Sequence, residues 1–519
     1  MTLLRSIATI GGYTLISRVL GFVRDVLVAA YLGAGPVSDA FFVAFKFPNF
    51  FRRLFAEGAF NAAFVPLFAG KVVTAGRSAA RRFAEDTLAV LLTVLFALVV
   101  IVELAMPWFI TLAAPGFIDE PEKYDLAVAF TRITFPYLLF ISLVSLQGGV
   151  LNSIDRFAAV AATPVLLNLC LIGALVSLAP LLPTAGHALS WGVALAGVAQ
   201  FLWLAWASNR EGMGLFLPRP SLTPEVRRLL ALMLPAALGS GVVQVNLLID
   251  IVLASLLPTG AVSYLYYADR IYELPLAVIG IAIGTALLPL LARQVRRNEH
   301  EAAVATQNRA LEAALLLTLP AAAGLVILSA PIIDVLFRRG AFAGADVAAT
   351  ASALAAYSLG LPAYVLIKVL TPGFYAREDT KTPVKIAVIG VVVNTSAALV
   401  LMQTFAHVGI ALATVVSAWL NAVLLALALR RRGHFAPDAQ LRKRLPRILA
   451  ATAAMAIVLW GLLPVAARWF AGPGEQRIAV LAVLVAAGMA VFGLAALAGG
   501  AADLKEVRRL VTRRPATPG

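Results

Sequence analysis

Three stretches of this chain put ionisable side chains inside apolar surroundings. Arg18, Arg24 and Asp25 stand in the first apolar run, Asp39, Lys46, Arg52, Arg53 and Glu57 in the second, and Asp269, Arg270 and Glu273 in a later one. Arginine presents a planar fork of N–H donors that suits bidentate recognition of phosphate and other anions. Carboxylates three or four residues further on, such as Glu57 after Arg53 and Glu273 after Arg270, fall on the same helix face and pair with those cations. In the first two runs five cations (Arg18, Arg24, Lys46, Arg52, Arg53) stand against three anions (Asp25, Asp39, Glu57), so pairing leaves a basic surplus. Arg18, Arg24, Arg52 and Arg270 are therefore candidates for anion binding. Asp25, Asp39, Arg53, Glu57 and Glu273 are candidates for charge pairing or gating, with Asp39 expected to meet Arg24 or a cation of the opposite lobe.

The elements that hold these groups must be membrane-spanning helices. The chain has 519 residues, 61% hydrophobic and 13% charged, where a soluble domain is roughly a quarter charged. Apolar stretches of about 20 residues recur throughout, each long enough for a ~30 Å hydrocarbon core. We read an all-α polytopic membrane protein with fourteen spans. The first runs from Ser6 to Tyr31, the second from Val37 to Phe68 and the eighth from Ala261 to Leu291, with loops at 69–85 and 405–407. An ionisable residue at a bilayer centre costs at least ~2.5–3.5 kcal/mol. At ~1.5 Å per residue, Arg24, Lys46 and Arg270 lie ~10–14 Å below the outer ends of their helices, and Arg18 and Arg52 ~20 Å. Such depths require a water-filled cavity or mutual pairing. Glu103, Arg132 and Lys368 lie nearer span ends, where long side chains reach the interface.

The formal net charge of +15 follows from orientation rather than nucleic-acid binding. Of the 42 Lys and Arg, 29 fall in the alternate segments that include both termini, and 5 in the segments opposite. Cytoplasmic loops collect such residues, so both termini are expected in the cytoplasm. An internal repeat accompanies this pattern. At an offset of 225, Asp25 matches Asp250, Gly35 matches Gly260 and Val37-Ser38 matches Val262-Ser263, while Asn168 matches Asn394 at 226. Six spans per repeat give two pseudo-symmetric lobes, 1–220 and 221–440, around a central cavity, and 441–519 adds two helices with a basic tail. That arrangement suggests a transporter. The single cysteine, Cys170, lies in an apolar run, and the four histidines have no ligand spacing, so no metal site is expected.

At this point a resemblance is visible. Ser17-Arg18-Val19-Leu20-Gly21-Phe22-Val23-Arg24-Asp25 resembles the first-helix signature of the MurJ (MviN) lipid II flippases. It is followed by Ser38-Asp39-Ala40-Phe41-Phe42-Val43-Ala44-Phe45-Lys46-Phe47-Pro48-Asn49, then Arg52-Arg53-Leu54-Phe55-Ala56-Glu57-Gly58, Tyr267-Ala268-Asp269-Arg270-Ile271-Tyr272-Glu273, and Arg377-Glu378-Asp379-Thr380-Lys381-Thr382-Pro383. The resemblance implies the multidrug/oligosaccharidyl-lipid/polysaccharide exporter fold in a bacterial cytoplasmic membrane. It also implies alternating-access transfer of lipid II, the undecaprenyl-pyrophosphate-linked peptidoglycan precursor, to the outer leaflet. The family's cavity charges fall on Arg18, Arg24, Asp39, Arg52 and Arg270, and the last two helices would guide the polyprenyl tail. Some relatives bind sodium, and Asp250 and Asn394 match two of those ligands. Ala398 stands one turn later where an acid would be needed, so an Asp–Asn hydrogen bond is the alternative. No cofactor is implied, and membrane potential, sodium and chloride stay open as drivers. A monomer in the phospholipid bilayer is the expected state. The rivals are a related polysaccharide-lipid flippase, a drug/cation antiporter and, in another class, a polyprenyl-phosphate enzyme. An antiporter for cations would need an anionic cavity, and an enzyme a paired-carboxylate, metal or His/Ser constellation, which the sequence lacks.

Overall fold

The computed structural model describes residues 3–51 and 60–502. Those residues are mostly helical and without strands, joined by short turns except for the extended link 213–223 between the eighth and ninth helices. In chain order the helices are α1 (Leu3–Leu32), α2 (Pro36–Phe51), α3 (Asn61–Leu104), α4 (Met106–Ala113), α5 (Pro121–Thr134) and α6 (Tyr137–Ser153). Then come α7 (Phe157–Leu178), α8 (Ala185–Arg210), α9 (Pro224–Ser255), α10 (Ala261–Arg296), α11 (His300–Ile327) and α12 (Ser329–Phe337). The last five are α13 (Gly344–Ser358), α14 (Leu361–Tyr375), α15 (Lys381–Arg431), α16 (Ala439–Phe470) and α17 (Gly474–Ala498). Among the described residues, nine helical stretches are long and apolar enough to cross a bilayer.

The chain packs as two compact units. One comprises Met1–Ser263 with Arg339–Ala343, the other Tyr264–Arg338 with Gly344–Gly519. Within the first, α1 packs on α7, α7 on α8, α2 on α5 and α3 on α6. Lipid tails are as apolar as the helix surfaces, so close approach of small residues, rather than escape from water, holds such helices together. α8 illustrates this. A Cβ on Gly186 would come 2.5 Å from Phe130, one on Gly192 2.8 Å from Ala174, and one on Gly197 2.9 Å from Tyr137. In the second unit α11 packs on α14 and α16, and α16 on α17. Leu459 of α16 meets Gly488 of α17, while Ile457, Trp460, Val483 and Leu494 keep large apolar surfaces exposed, as lipid-facing helices must.

The two expected loops are tight breaks between helices, each at a single residue. Residues 69–85 lie inside α3, which breaks helical geometry only at Gly76 (φ 79°), a left-handed value that glycine adopts without a steric cost. The two arms are held across that bend by stacking of Phe64 on Phe83 (5.6 Å between ring centroids) and by Lys71 over the Phe83 ring at 5.4 Å, while Lys71 Nζ also donates to Glu225 Oε1 of α9 at 2.8 Å. The basic residues that suggested a loop are spaced for helical pairing, as Arg81 and Glu85 confirm at i,i+4. Likewise the expected link at 405–407 is a break inside α15, at Ala406 (φ 47°), which separates two helices as expected. That break is tight, since a Cβ on Gly409 would come 2.4 Å from the backbone of Leu401.

Candidate functional site

Arg24 is fixed on three sides. Its Nε and Nη2 both donate to Asp25 Oδ1, at 3.0 and 2.7 Å, and its Nη1 donates to Asn168 Oδ1 at 2.9 Å. The Asn168 amide is itself oriented, because its Nδ2 donates to the Ser17 carbonyl at 3.0 Å. A carboxamide from α7 thus ties the guanidinium to the preceding turns of its own helix. The side chains of Arg24 and Asp25 are 12% and 8% exposed, and a buried charge costs much less when it is paired and hydrogen-bonded, as these two are. Asp25 therefore serves Arg24 rather than Arg18. Arg18 lies six residues earlier, ~9 Å along the axis. It is exposed, and no hydrogen bond or ion pair engages it among the described residues.

Lys46 of α2 is half-buried. Arg52, Arg53 and Glu57 lie outside the described residues. In the second unit Arg270 Nη1 donates to Glu273 Oε2 at 3.3 Å, with Asp269 at 4.0 Å and the Tyr266 ring centroid 4.9 Å away. The i,i+3 pairing is as the spacing predicts. Beside it, Tyr272 stacks between Tyr357 and Tyr364 at 5.1 and 5.6 Å. Lys368 is exposed, its aliphatic stem lying over Gly280, where a Cβ would come within 2.8 Å of Cδ.

Asp39 corrects an expectation. Its hydrogen-bond partners are the start of α10: Gly260 N–H donates to Oδ2 at 2.7 Å, and Ser263 donates to Oδ1 through N–H (2.9 Å) and Oγ (2.5 Å). The first amides of a helix have no partner within it and carry partial positive charge. A buried carboxylate, here 1% exposed, is satisfied by them without a full cation. Ser38 joins in, receiving Ser263 Oγ at 2.9 Å, so repeat-equivalent serines meet directly. The same end of the unit has two further closures. Ala341 N–H donates to Ala30 O at 2.8 Å, with left-handed Gly33 and Gly340 so close that a Cβ on either would come within 2.5 Å of the facing carbonyl oxygen. Lys123 donates to Glu120 Oε1 (2.7 Å) and Thr259 Oγ1 (2.9 Å), and Thr259 donates to Glu120 Oε2 (2.6 Å). Burial raises the Glu120 carboxyl, but the bonds from Lys123 and Thr259 outweigh it and hold the group below its ordinary pKa. The roles of Ser263, Thr259 and Asn168 as partners are not readable from the sequence, although the repeat offset singles out Ser263 and Asn168.

Asp250 of α9 lies beside Asn246, whose Nδ2 is 3.5 Å from Oδ2. Asn394 of α15 is fully buried, as is Ala398. Among the described residues no group of three or more His, Cys, Asp or Glu gathers as a metal site would.

With this geometry in hand, comparison with known proteins is informative. The family model described as lipid II flippase MurJ matches residues 28–474. The probable lipid II flippase of Rhizobium meliloti (strain 1021) is 48% identical, over 99% of this chain and 97% of that protein. The lipid II flippase of Burkholderia cenocepacia is 40% identical, over 89% and 90%. A solved structure of a lipid II flippase MurJ in an inward closed conformation superposes with a TM-score of 0.79 at 25% identity, covering 97% of this chain and 99% of that one. An inward-facing MATE transporter of the MOP superfamily shares the fold, with a TM-score of 0.67 at 16% identity over 80% and 94%. This chain belongs to the lipid II flippase MurJ family.

Proposed function

We propose that the chain carries lipid II from the inner to the outer leaflet of the bacterial cytoplasmic membrane by alternating access, as a transporter and not an enzyme. The observation that carries this reading is Arg24: a guanidinium held in a fixed orientation inside an apolar helix by Asp25 and Asn168. Fixed cations of this kind recognise a pyrophosphate through charge-assisted hydrogen bonds worth roughly 1.5–3 kcal/mol each. Arg18, Arg52 and Arg270 complete the anion-binding set. The disaccharide-pentapeptide head enters the cavity while the polyprenyl tail stays in lipid, along α16 and α17.

The working architecture is fourteen spans with both termini cytoplasmic. The lobes 1–220 and 221–440 follow the repeat, and 441–519 stands outside it. Compact packing follows another line, because α9 lies against α3 in the first unit. Asp39, capping the start of α10, acts as the outer gate, and it is reinforced by Ala341 on Ala30 and by the Lys123–Glu120–Thr259 group. The protein works as a monomer without cofactor or nucleic acid. Asp250 and Asn394 are retained as an ion-site candidate, although Ala398 supplies no third oxygen. A cation antiporter, the main rival, is disfavoured by the basic surplus of the first two spans. The test is depletion of the protein in cells. Lipid II should accumulate while its synthesis continues, and purified protein should move lipid II across a vesicle bilayer. Depletion without accumulation, together with no transfer in vesicles, would refute the proposal.

A further inference from the structure

A second basic site lies away from the cavity charges, where α7 begins and α8 ends. A hollow of about 560 Å³ opens there, walled by Tyr13, Arg156, Trp203, Trp206, Arg210 and Glu211. Its rigid frame is aromatic. Trp203 Nε1 donates to the Ala159 carbonyl at 3.0 Å, and the Trp203 and Trp206 rings lie 5.2 Å apart. Two arginines bring donors to it. Arg210 lies with its guanidinium carbon 5.6 Å from the Trp206 ring centroid, and that cation–π contact is its only polar interaction among the described residues. Such a contact leaves the in-plane N–H groups available. Arg156 forms an ion pair with Glu211, its Nε 3.0 Å from Oε2, and no hydrogen bond engages its terminal nitrogens among the described residues. Two arginines against one glutamate leave a net positive charge.

The neighbourhood says what kind of anion fits. Trp191, Leu195, Leu202 and Trp206 recur along one face of α8 and are 47–58% exposed, an apolar stripe that leads up to the hollow. Tryptophans that end such a stripe mark the level of the headgroups. A free anion would have no use for the stripe, whereas acyl chains would lie along it. The second repeat offers a contrast at its corresponding turn. There Arg432 spends Nη1 on Asp379 at 2.5 Å and Nη2 on Thr382 at 2.9 Å, so its cation is consumed internally.

We propose that this hollow binds the phosphodiester headgroup of an anionic glycerophospholipid, with Arg210 and the terminal nitrogens of Arg156 on the phosphate and the acyl chains along α8. On the orientation proposed above, the lipid belongs to the cytoplasmic leaflet. The site is separate from the Arg24 cluster, so either assignment can fail alone.

The test uses full-length protein in nanodiscs of phosphatidylcholine into which phosphatidylglycerol is titrated, with bound lipid counted by native mass spectrometry. Arg210→Gln and the pair Arg156→Gln/Arg210→Gln should weaken the tightest phosphatidylglycerol site at least tenfold, while Arg210→Lys keeps most of the affinity and Arg24→Ala leaves it unchanged. Helical circular dichroism screens each variant, and a misfolded one is replaced by Trp206→Phe/Arg210→Lys, expected to lose about threefold. Inorganic phosphate at millimolar concentration should not displace the lipid. Unchanged phosphatidylglycerol binding in the paired variant would overturn the proposal, as would full displacement by inorganic phosphate. Loss in Arg24→Ala equal to that in Arg210→Gln would overturn it too, by showing that the bound lipid occupies the main cavity.

Discussion

The two repeats place the same polar pair in opposite company. In the first, Asp25 and Asn168 converge on Arg24, which sits between them as a resident cation. In the second, Asp250 and Asn394 hold the matching positions, but Ile249 stands where Arg24 would be. Asp250 instead has the amide of Asn246 nearby at 3.5 Å. One scaffold thus yields a fixed positive group in one repeat and, in the other, an acidic position preceded in sequence by isoleucine. The arginine suits an anionic substrate.

Mirrored substitutions should separate the repeats most sharply. Arg24→Ala should abolish lipid II transfer, since losing even one charge-assisted contact of roughly 1.5–3 kcal/mol lowers binding about tenfold or more. Ile249→Ala should lower transfer less than about threefold, as ordinary partly buried truncations do. Equal losses in reconstituted vesicles would break the comparison. Asn168→Ala should fall between them, because it frees Arg24 to reorient without removing its charge.

The proposed gate at Asp39 gives the next effect. Asp39→Asn keeps the shape but removes the charge that the α10 amides favour, so the outward-open population should rise. Single cysteines beside Arg18 and Arg24, in a Cys170→Ala background, should then label from outside at least threefold faster with an impermeant thiol reagent. Unchanged labelling with lost lipid II binding would move Asp39 into the substrate site. Replacing sodium by potassium, or Asp250 by Asn, should alter transfer by less than about threefold, and a strict sodium requirement would make the second repeat a cation site after all.

The smallest effect lies in the turn between α14 and α15. Hydrogen bonds from Arg432 and Thr382 hold the Asp379 carboxyl well below the usual carboxylate range. A depressed folded pKa stabilises at pH above the ordinary value of about 3.9 and is lost as pH falls below it. Arg432→Gln should therefore cost under about 1 kcal/mol at pH 7, given that Arg432 is 43% exposed. The difference from the parent should shrink in thermal melts taken progressively below pH 4.

How far these features can be read from the sequence depends on what kind of contact makes them. Arg24 and Arg270 declare themselves because a charge within an apolar span is costly, and Glu273 follows from helical spacing. Asn168 can be flagged by the repeat but not assigned to Arg24, since that contact joins residues 144 apart. Asp39 stands out by its charge, but its partner is not the expected cation. Backbone amides at a helix start have no residue signature, whereas a cation does. The return of Ala341 to Ala30 rests on two glycines far apart in the chain, and no periodicity predicts it. How tightly α3 bends is hidden for another reason: helical turns rich in Lys and Arg on both sides of Gly76 and an open basic loop have the same composition.

Transport as proposed rests on Arg24 recognising the pyrophosphate of lipid II, and binding affinity is the readout closest to that contact. Lipid II and a polyprenyl lipid with a neutral headgroup should be titrated into nanodiscs holding the parent chain or Arg24→Ala. The parent should prefer lipid II, Arg24→Ala should lower lipid II affinity at least tenfold, and binding of the neutral lipid should be unchanged. Equal lipid II affinity in the parent and a correctly folded Arg24→Ala variant would show that Arg24 does not hold the pyrophosphate.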